Sequence, residues 1–154
     1  MKMQDPDPSE HPAHPMKLIG LIHRSFARVV DAPLRELGFA MGQLPVLVAL
    51  KRRSGLLQAD LARIAQVEQP SMAQLLARME RDGLVERSAH PEDGRSRPIR
   101  LTDAATRLMP KGKAVMDTAS ECALSGFSEK ERLQLIALLE RIYANLSEAD
   151  GDAA

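Results

Sequence analysis

Apolar residues in this chain switch from a helical to a strand period at Gly83, then back to a helical period at Thr102. Before Gly83, Met72, Leu75, Leu76 and Met79 stand at i, i+3, i+4 and i+7. That is the repeat of a helix with one buried face. After it, LVERS (84–88) and PIRLT (98–102) alternate as half-buried strands do. Between them lies Asp93-Gly94, a hairpin-tip pair. A helix over about Gln69–Asp82 that feeds a two-stranded hairpin with a long charged tip leaves few folds open. Pro70 suits the first turn of that helix, and Gly83 suits its C-terminal cap.

The flanking segments are helical. Lys17–Leu37 carries Leu18, Ile22, Phe26, Val29, Val30 and Leu37 at helical spacing. Pro33 should kink or interrupt it near its end, and Gly38 marks a break. A second helix over about Gly42–Arg53 points Leu44, Leu47, Val48 and Leu50 inward, with Pro45 in its first turn. A third, about Gln58–Gln66, places Leu61, Ile64 and Ala65 on one face, and a turn at Val67–Glu68 leads into the fourth. The fifth starts at Thr102–Asp103 with Thr102 as cap and reaches about Ala123, bent by Pro110 and Gly112. The sixth starts at Ser128, where Glu131 completes a capping box. Its apolar residues, among them Leu133, Ile136, Leu139, Tyr143 and Leu146, cover more than one face. Such a helix needs two partners, and a second subunit is the economical second one.

Composition removes whole classes. Aromatics are 3%, with no Trp, against readers of single-stranded nucleic acid that stack bases on rings. A single cysteine, Cys122, excludes an intramolecular disulfide framework and multi-cysteine metal sites, and fits a reducing compartment. With Glu121 beside it and no nearby cation to activate it, Cys122 reads as a small core cysteine rather than an oxidation sensor. His11 and His14 are separated by proline and cannot form a helical ligand pair, so no metal and no cofactor is expected. No stretch approaches the roughly 18 apolar residues of a membrane span. The first fifteen residues lack the apolar core of a signal peptide, so the expected setting is the cytoplasm. Those residues hold four prolines and three acids and read as a disordered arm. Lys plus Arg and Asp plus Glu are each 21, for a net charge of zero. That balance conceals a basic middle, because Lys51–Arg107 holds 11 Lys and Arg against 8 Asp and Glu, or +3.

Helices two to four followed by a hairpin make a winged helix-turn-helix. With its apolar residues inward, the fourth helix leaves Gln69, Pro70, Ser71, Ala73, Gln74 and Arg78 outside, and no acid lies between Gln69 and Arg78. Gln can bond adenine bidentately, Ser a base or phosphate, and Arg guanine or phosphate. Arg95 and Arg97 sit on the hairpin tip, with Arg100 on the returning strand. Arginines on a projecting ribbon suit a narrow minor groove, and Asp93 suits holding an arginine or the turn in place. A protein-docking winged helix would instead show apolar anchors on this face. An enzyme would need a phosphate loop, spaced metal ligands or a nucleophile motif, none of which occurs. His90 beside Asp93 lies on a tip that excludes little water.

QADLARIAQVEQPSMAQLLARMERDGLVERS (58–88) and DGRSRPIRLT (93–102) resemble the MarR family of transcriptional regulators, particularly its SlyA-like branch. The wing carries the family's Asp-x-Arg as Asp93 and Arg95, with Leu101-Thr102 following. The resemblance implies a mainly α fold with a small β-hairpin, in which a winged helix-turn-helix lobe joins a helical dimerisation region built from both chain ends. The expected division is a disordered arm over 1–15, a dimerisation helix over 16–38 and a DNA-binding lobe over 39–102. Dimerisation helices follow over 103–147, and a frayed acidic tail over 148–154. It further implies a homodimeric repressor on a pseudo-palindromic double-stranded operator, released by a small aromatic acid or phenol. By matched position Arg95 would enter the minor groove and Ser71 and Gln74 the major groove. Gln69, Pro70, Arg78 and Arg97 would give supporting or phosphate contacts, and Asp93 would support the wing. Candidate effector contacts by location are His23, Arg24, Met41, Gln43 and Leu47. The family often has an aromatic near Leu44, and this chain has none there.

Overall fold

The structure, a computed structural model, describes residues 14–88 and 97–151. His11, His90, Asp93, Gly94, Arg95 and residues 152–154 lie outside the described residues. Among the described residues, six α-helices and one hairpin follow in order: α1 Pro15–Glu36, α2 Leu44–Arg52, α3 Gln58–Ala65, α4 Gln69–Arg81, β1 Val85–Arg87, β2 Ile99–Leu101, α5 Asp103–Ala123 and α6 Glu129–Gly151. A short 3-10 turn, Met41–Gln43, precedes α2. The chain divides after Ala119 into two compact units.

The first unit is built on one apolar core. Val30 and Leu34 of α1, Val46, Leu47 and Leu50 of α2, Leu61 of α3 and Met72, Leu76 and Met79 of α4 are buried together with Val85 and Ile99 of the hairpin. Several details depart from the pattern reading. Helix α1 begins at Pro15, inside the segment expected to be an arm, because proline's fixed φ and missing N–H suit a first turn. Pro33 does not interrupt α1, which continues to Glu36. The carbonyl that Pro33 leaves unpaired belongs to exposed Val29, where water can satisfy it. In α2, Val46 and Ala49 are buried while Val48 is 43% exposed. This helix packs on both α3 and β2, so its buried face is wider than one stripe and centred differently. In α3, Leu61 and Ala62 are buried and Ile64 is 50% exposed. Two turns of helix are too few for periodicity to fix which face is inward.

The hairpin is antiparallel, with Val85 opposite Leu101, Glu86 opposite Arg100 and Arg87 opposite Ile99. Each strand is one residue shorter at each end than its alternation suggested. Ile99 turns its backbone groups to the outer edge of the ribbon. Its N–H donates to the Leu56 carbonyl at 2.9 Å, and its carbonyl accepts from the Gly55 N–H at 3.0 Å. Gly55 sits at φ +79°, a conformation that L side chains rarely adopt. Thr102 caps α5 as expected, accepting from the Ala105 N–H at 3.1 Å, while its hydroxyl donates to the Gly83 carbonyl at 2.6 Å. Helix α5 runs through both Pro110 and Gly112. Gly112 is buried, and a Cβ there would lie 3.1 Å from the Phe39 ring, so this glycine admits a close neighbour.

The second unit contains the end of α5 and all of α6. Arg132 pairs with both carboxylate oxygens of Glu121, at 2.8 to 3.0 Å, and donates to the Leu124 carbonyl at 3.3 Å. Cys122 is exposed rather than a core residue. The buried positions of α5 end at Ala119, and α6 has none to enclose a thiol. Leu133, Ile136, Leu138, Leu139, Tyr143 and Leu146 are all exposed. Helix α6 reaches Gly151, so 148–151 are helical rather than frayed. Among the described residues no helix is long and apolar enough to cross a membrane.

The start of α6 carries a titratable cap. Glu131 accepts from the Ser128 N–H and hydroxyl, each at 2.8 Å, and the Glu131 N–H donates back to the Ser128 hydroxyl at 3.3 Å. The bonds from Ser128, the backbone one first, hold the Glu131 carboxyl below its ordinary value. A carboxylate whose pKa falls on folding stabilises the fold above its unfolded pKa and loses that contribution as pH falls through the folded one. Glu131→Ala should therefore unfold at lower urea than the parent at neutral pH. The difference should close once pH drops below the carboxylate range, read by far-UV circular dichroism across a pH series.

Candidate nucleic-acid interface

Helix α4 is aimed by the turn before it. Gln66 ends α3 in the left-handed region, at φ 53° and ψ 45°. The Val67 N–H then closes back on the Ala62 carbonyl at 3.0 Å. At the other end of α3, Asp60 accepts from the Leu57 N–H at 3.1 Å and pairs with Arg63 at 3.0 Å. Gln58 Nε2 donates to Gln69 Oε1 at 3.4 Å, joining the first turns of α3 and α4. With Met72, Leu76 and Met79 locked into the core, the opposite face of α4 has to face solvent.

That face is the one expected. Gln69, Pro70, Ser71, Gln74 and Arg78 are all exposed, while Ala73 is partly buried. The stripe continues through Ala77 and Arg81, both exposed. Arg81 was missed by ending the stripe at Arg78, although it stands one further turn along the same face. The stripe offers amide, hydroxyl and guanidinium groups, the set that bonds base edges and phosphates.

The hairpin presents a second group. Arg97 is exposed just ahead of β2 and lines an open groove of about 660 Å³ with Glu80, Val85, Glu86 and Arg87. Arg100 is paired across the strands with Glu86 at 2.8 Å, so it serves the ribbon itself. Arg87 Nε donates to Glu80 Oε1 at 2.8 Å, which links β1 to the last turn of α4. The Ser88 N–H donates to the Pro98 carbonyl at 2.9 Å, one step beyond the paired strands. Arg95 and Asp93 lie outside the described residues.

Two apolar cavities adjoin in the first unit, sharing Leu44, Val48 and Met116. One, of about 260 Å³, is lined also by Phe39, Leu47, Met109, Gly112 and Lys113. The other, of about 410 Å³, reaches Met41, Pro45, Arg52 and Ile64. Met41 and Leu47 thus line a cavity, as their positions suggested. His23 and Arg24 are exposed on α1 and line neither. Gln43 is a correction. It is 7% exposed, and its Oε1 accepts from the Ala40 N–H at 2.8 Å, so it closes the 3-10 turn instead of facing a cavity. Phe39 and the methionines of α5 were missed, because apolar residues carry no mark that separates lining from core.

Comparison with known proteins gives one consistent result. A model of the MarR family matches residues 37–96. The solved transcriptional regulator PA3341 is 33% identical, with 88% of this chain and 99% of that one covered and a TM-score of 0.73. The transcriptional regulator SlyA is 26% identical, with 89% and 96% covered and a TM-score of 0.81. A MarR-family regulator from Listeria monocytogenes, solved in complex with a 26mer DNA, is 22% identical, with 87% and 89% covered and a TM-score of 0.77.

The role of Gln43 is directly measurable. Gln43→Ala leaves a part-buried backbone N–H without its acceptor and should cost about 1–3 kcal/mol. Gln43→Glu, which keeps an acceptor oxygen, should cost less. Urea denaturation of both variants checks the order.

Proposed function

The chain belongs to the MarR family, and from that premise we propose that it is a homodimeric repressor that binds a pseudo-palindromic double-stranded operator and leaves it when a small aromatic acid or phenol binds. The observation that carries the DNA reading is the exposed, acid-free stripe from Gln69 to Arg78, backed by buried Met72, Leu76 and Met79 and followed by an arginine-bearing hairpin. A relative of the same fold solved on DNA supports it. Ser71 and Gln74 meet base edges in the major groove. Gln69, Pro70, Arg78 and Arg97 position the helix and ribbon on the backbone, Arg95 enters the minor groove, and Asp93 steadies the wing.

The dimer reading is supported by apolar faces that one chain leaves open. Leu18, Ile22 and Val29 are exposed on α1, as are Leu133, Ile136, Leu139, Tyr143 and Leu146 on α6. A second copy is the partner such faces suit. The effector reading is supported by the adjoining cavities. Phe39 lines the same cavity as Leu44 and supplies a ring where the sequence had suggested none. Lys113 at that cavity and Arg52 at its neighbour can meet a carboxylate, though Lys113 also pairs with Asp117. Release is a shift of population. The effector must prefer dimers whose recognition helices are not about 34 Å apart, the spacing of half-sites one turn apart.

Two experiments test this reading. Arg95→Ala should weaken binding on every sequence and lower the salt slope by about one phosphate equivalent per site. Gln74→Ala should lose about 1–3 kcal/mol per half-site only where its base pair is preserved. Salt titrations on duplexes selected from a random pool separate these effects, and unchanged binding in both variants overturns the assigned roles. Val48→Phe fills the space shared by the two cavities. It should keep operator affinity while abolishing release by salicylate-like acids and phenols in a calorimetric screen, and undiminished release would move the effector elsewhere.

A further inference from the structure

We propose that the Glu80–Arg87 ion pair is the positioning contact that holds the hairpin at a fixed angle to the recognition helix, and that operator affinity depends on it. The inference rests on the reading that α4 and the hairpin both meet DNA. Glu80 lies in the last turn of α4, and Arg87 is the last residue of β1. Arg87 Nε donates to Glu80 Oε1 at 2.8 Å, with the side chains 26% and 34% exposed respectively.

The strand alternation explains how they meet. Val85 and Arg87 point to one face of the ribbon, and Glu86 points to the other, where it pairs with Arg100. The face of Val85 is the core face, so Arg87 is turned back toward α4. Apolar packing holds β1 through Val85 and holds β2 through Ile99, which stands opposite Arg87. Beside Arg87 itself, β1 and the helix leave an open groove, lined by Glu80, Val85, Glu86, Arg87 and Arg97. A charge-assisted hydrogen bond with defined direction spans that groove. Its angular preference transmits the orientation of α4 to the strand that leads to the wing.

A plain electrostatic account makes the opposite prediction. Glu80 is an anion on the helix that approaches a polyanion, so removing it should tighten binding. If Glu80 instead positions the ribbon, removing it should loosen binding. The size of the loss is bounded by the worth of a partly exposed ion pair, which across two half-sites is about 3- to 30-fold in affinity.

The test is a double-mutant cycle of Glu80→Ala, Arg87→Ala and both, on a duplex selected by the parent protein from a random pool. Expected is a 3- to 30-fold loss for Glu80→Ala, and a cost for Arg87→Ala that is much smaller when Glu80 is already absent. Hydroxyl-radical protection should fade at the flanks of the site and persist at its centre. The thermal midpoint should move by only a few degrees, since the pair is partly exposed. Should Glu80→Ala fail to fold, Glu80→Gln keeps the side-chain shape and should show a smaller loss in the same direction. Equal or tighter binding by the folded Glu80 variant, additive losses, or protection lost evenly along the site would each overturn the proposal. If the parent selects no duplex at all, the DNA reading itself fails, an outcome distinct from any of these.

Discussion

Ile99 is the fixed point of the winged helix-turn-helix. Its side chain is 0% exposed, it stands opposite Arg87 of β1, and its own N–H and carbonyl bond Leu56 and Gly55 on the outer edge. A two-stranded hairpin alone is marginal in water. Here the ribbon is continued by a third segment from between α2 and α3, and the buried isoleucine adds about 1.5–3 kcal/mol of burial. The base of the ribbon is therefore held without relying on hairpin stability alone. The φ of +79° at Gly55 permits the approach, and Thr102 ties the far strand to the end of α4 through the Gly83 carbonyl.

Much of this was legible in the amino-acid sequence, for reasons that differ by element. Helix α4 was legible because it is long enough for its apolar residues to fix an inward face, of which Met72, Leu76 and Met79 are buried and Leu75 is half-buried, and because Pro70 and Gly83 mark its ends. The exposed positions of Gln69, Ser71, Gln74 and Arg78 followed at once. The caps at Thr102 and Ser128 were legible because a hydroxyl before a helix has one obvious use. The faces of α2 and α3 were not, since short helices packed on several neighbours bury whatever the neighbours cover. The bridge from Leu56 to Ile99 carries no local signature, because it joins residues far apart in sequence. Gln43 misled for a related reason: a polar residue near an apolar cavity looks like a ligand contact until its backbone partner is seen.

Small residues on α5 link the core to the cavities. Its buried positions, Ala105, Gly112 and Ala119, are seven apart and all small, so they form a narrow lane along one side of the helix. Phe39 comes against that lane at Gly112, and the space left beside the ring is the smaller cavity. Helix α2 faces this cavity with Leu44 and Val48 and the core with Val46 and Leu50, and it packs on α3 and β2. Any occupant that displaces α2 therefore pushes on both the helix that precedes α4 and the strand that carries Ile99. Methionines at the cavities, Met41, Met109 and Met116, are flexible enough to reshape around such an occupant.

The alternation of the ribbon also limits how this lobe can change over generations. Adding or deleting one residue between Gly83 and Arg87 would turn every following strand side chain to the opposite face. An insertion would put Glu86 in the place of Arg87 and bring a carboxylate against Glu80, whereas a deletion would put Glu86 in the place of Val85 and carry a charge into the core. The base of the ribbon is thus intolerant of length change. Single substitutions remain open to it, because they leave the alternation of faces in place.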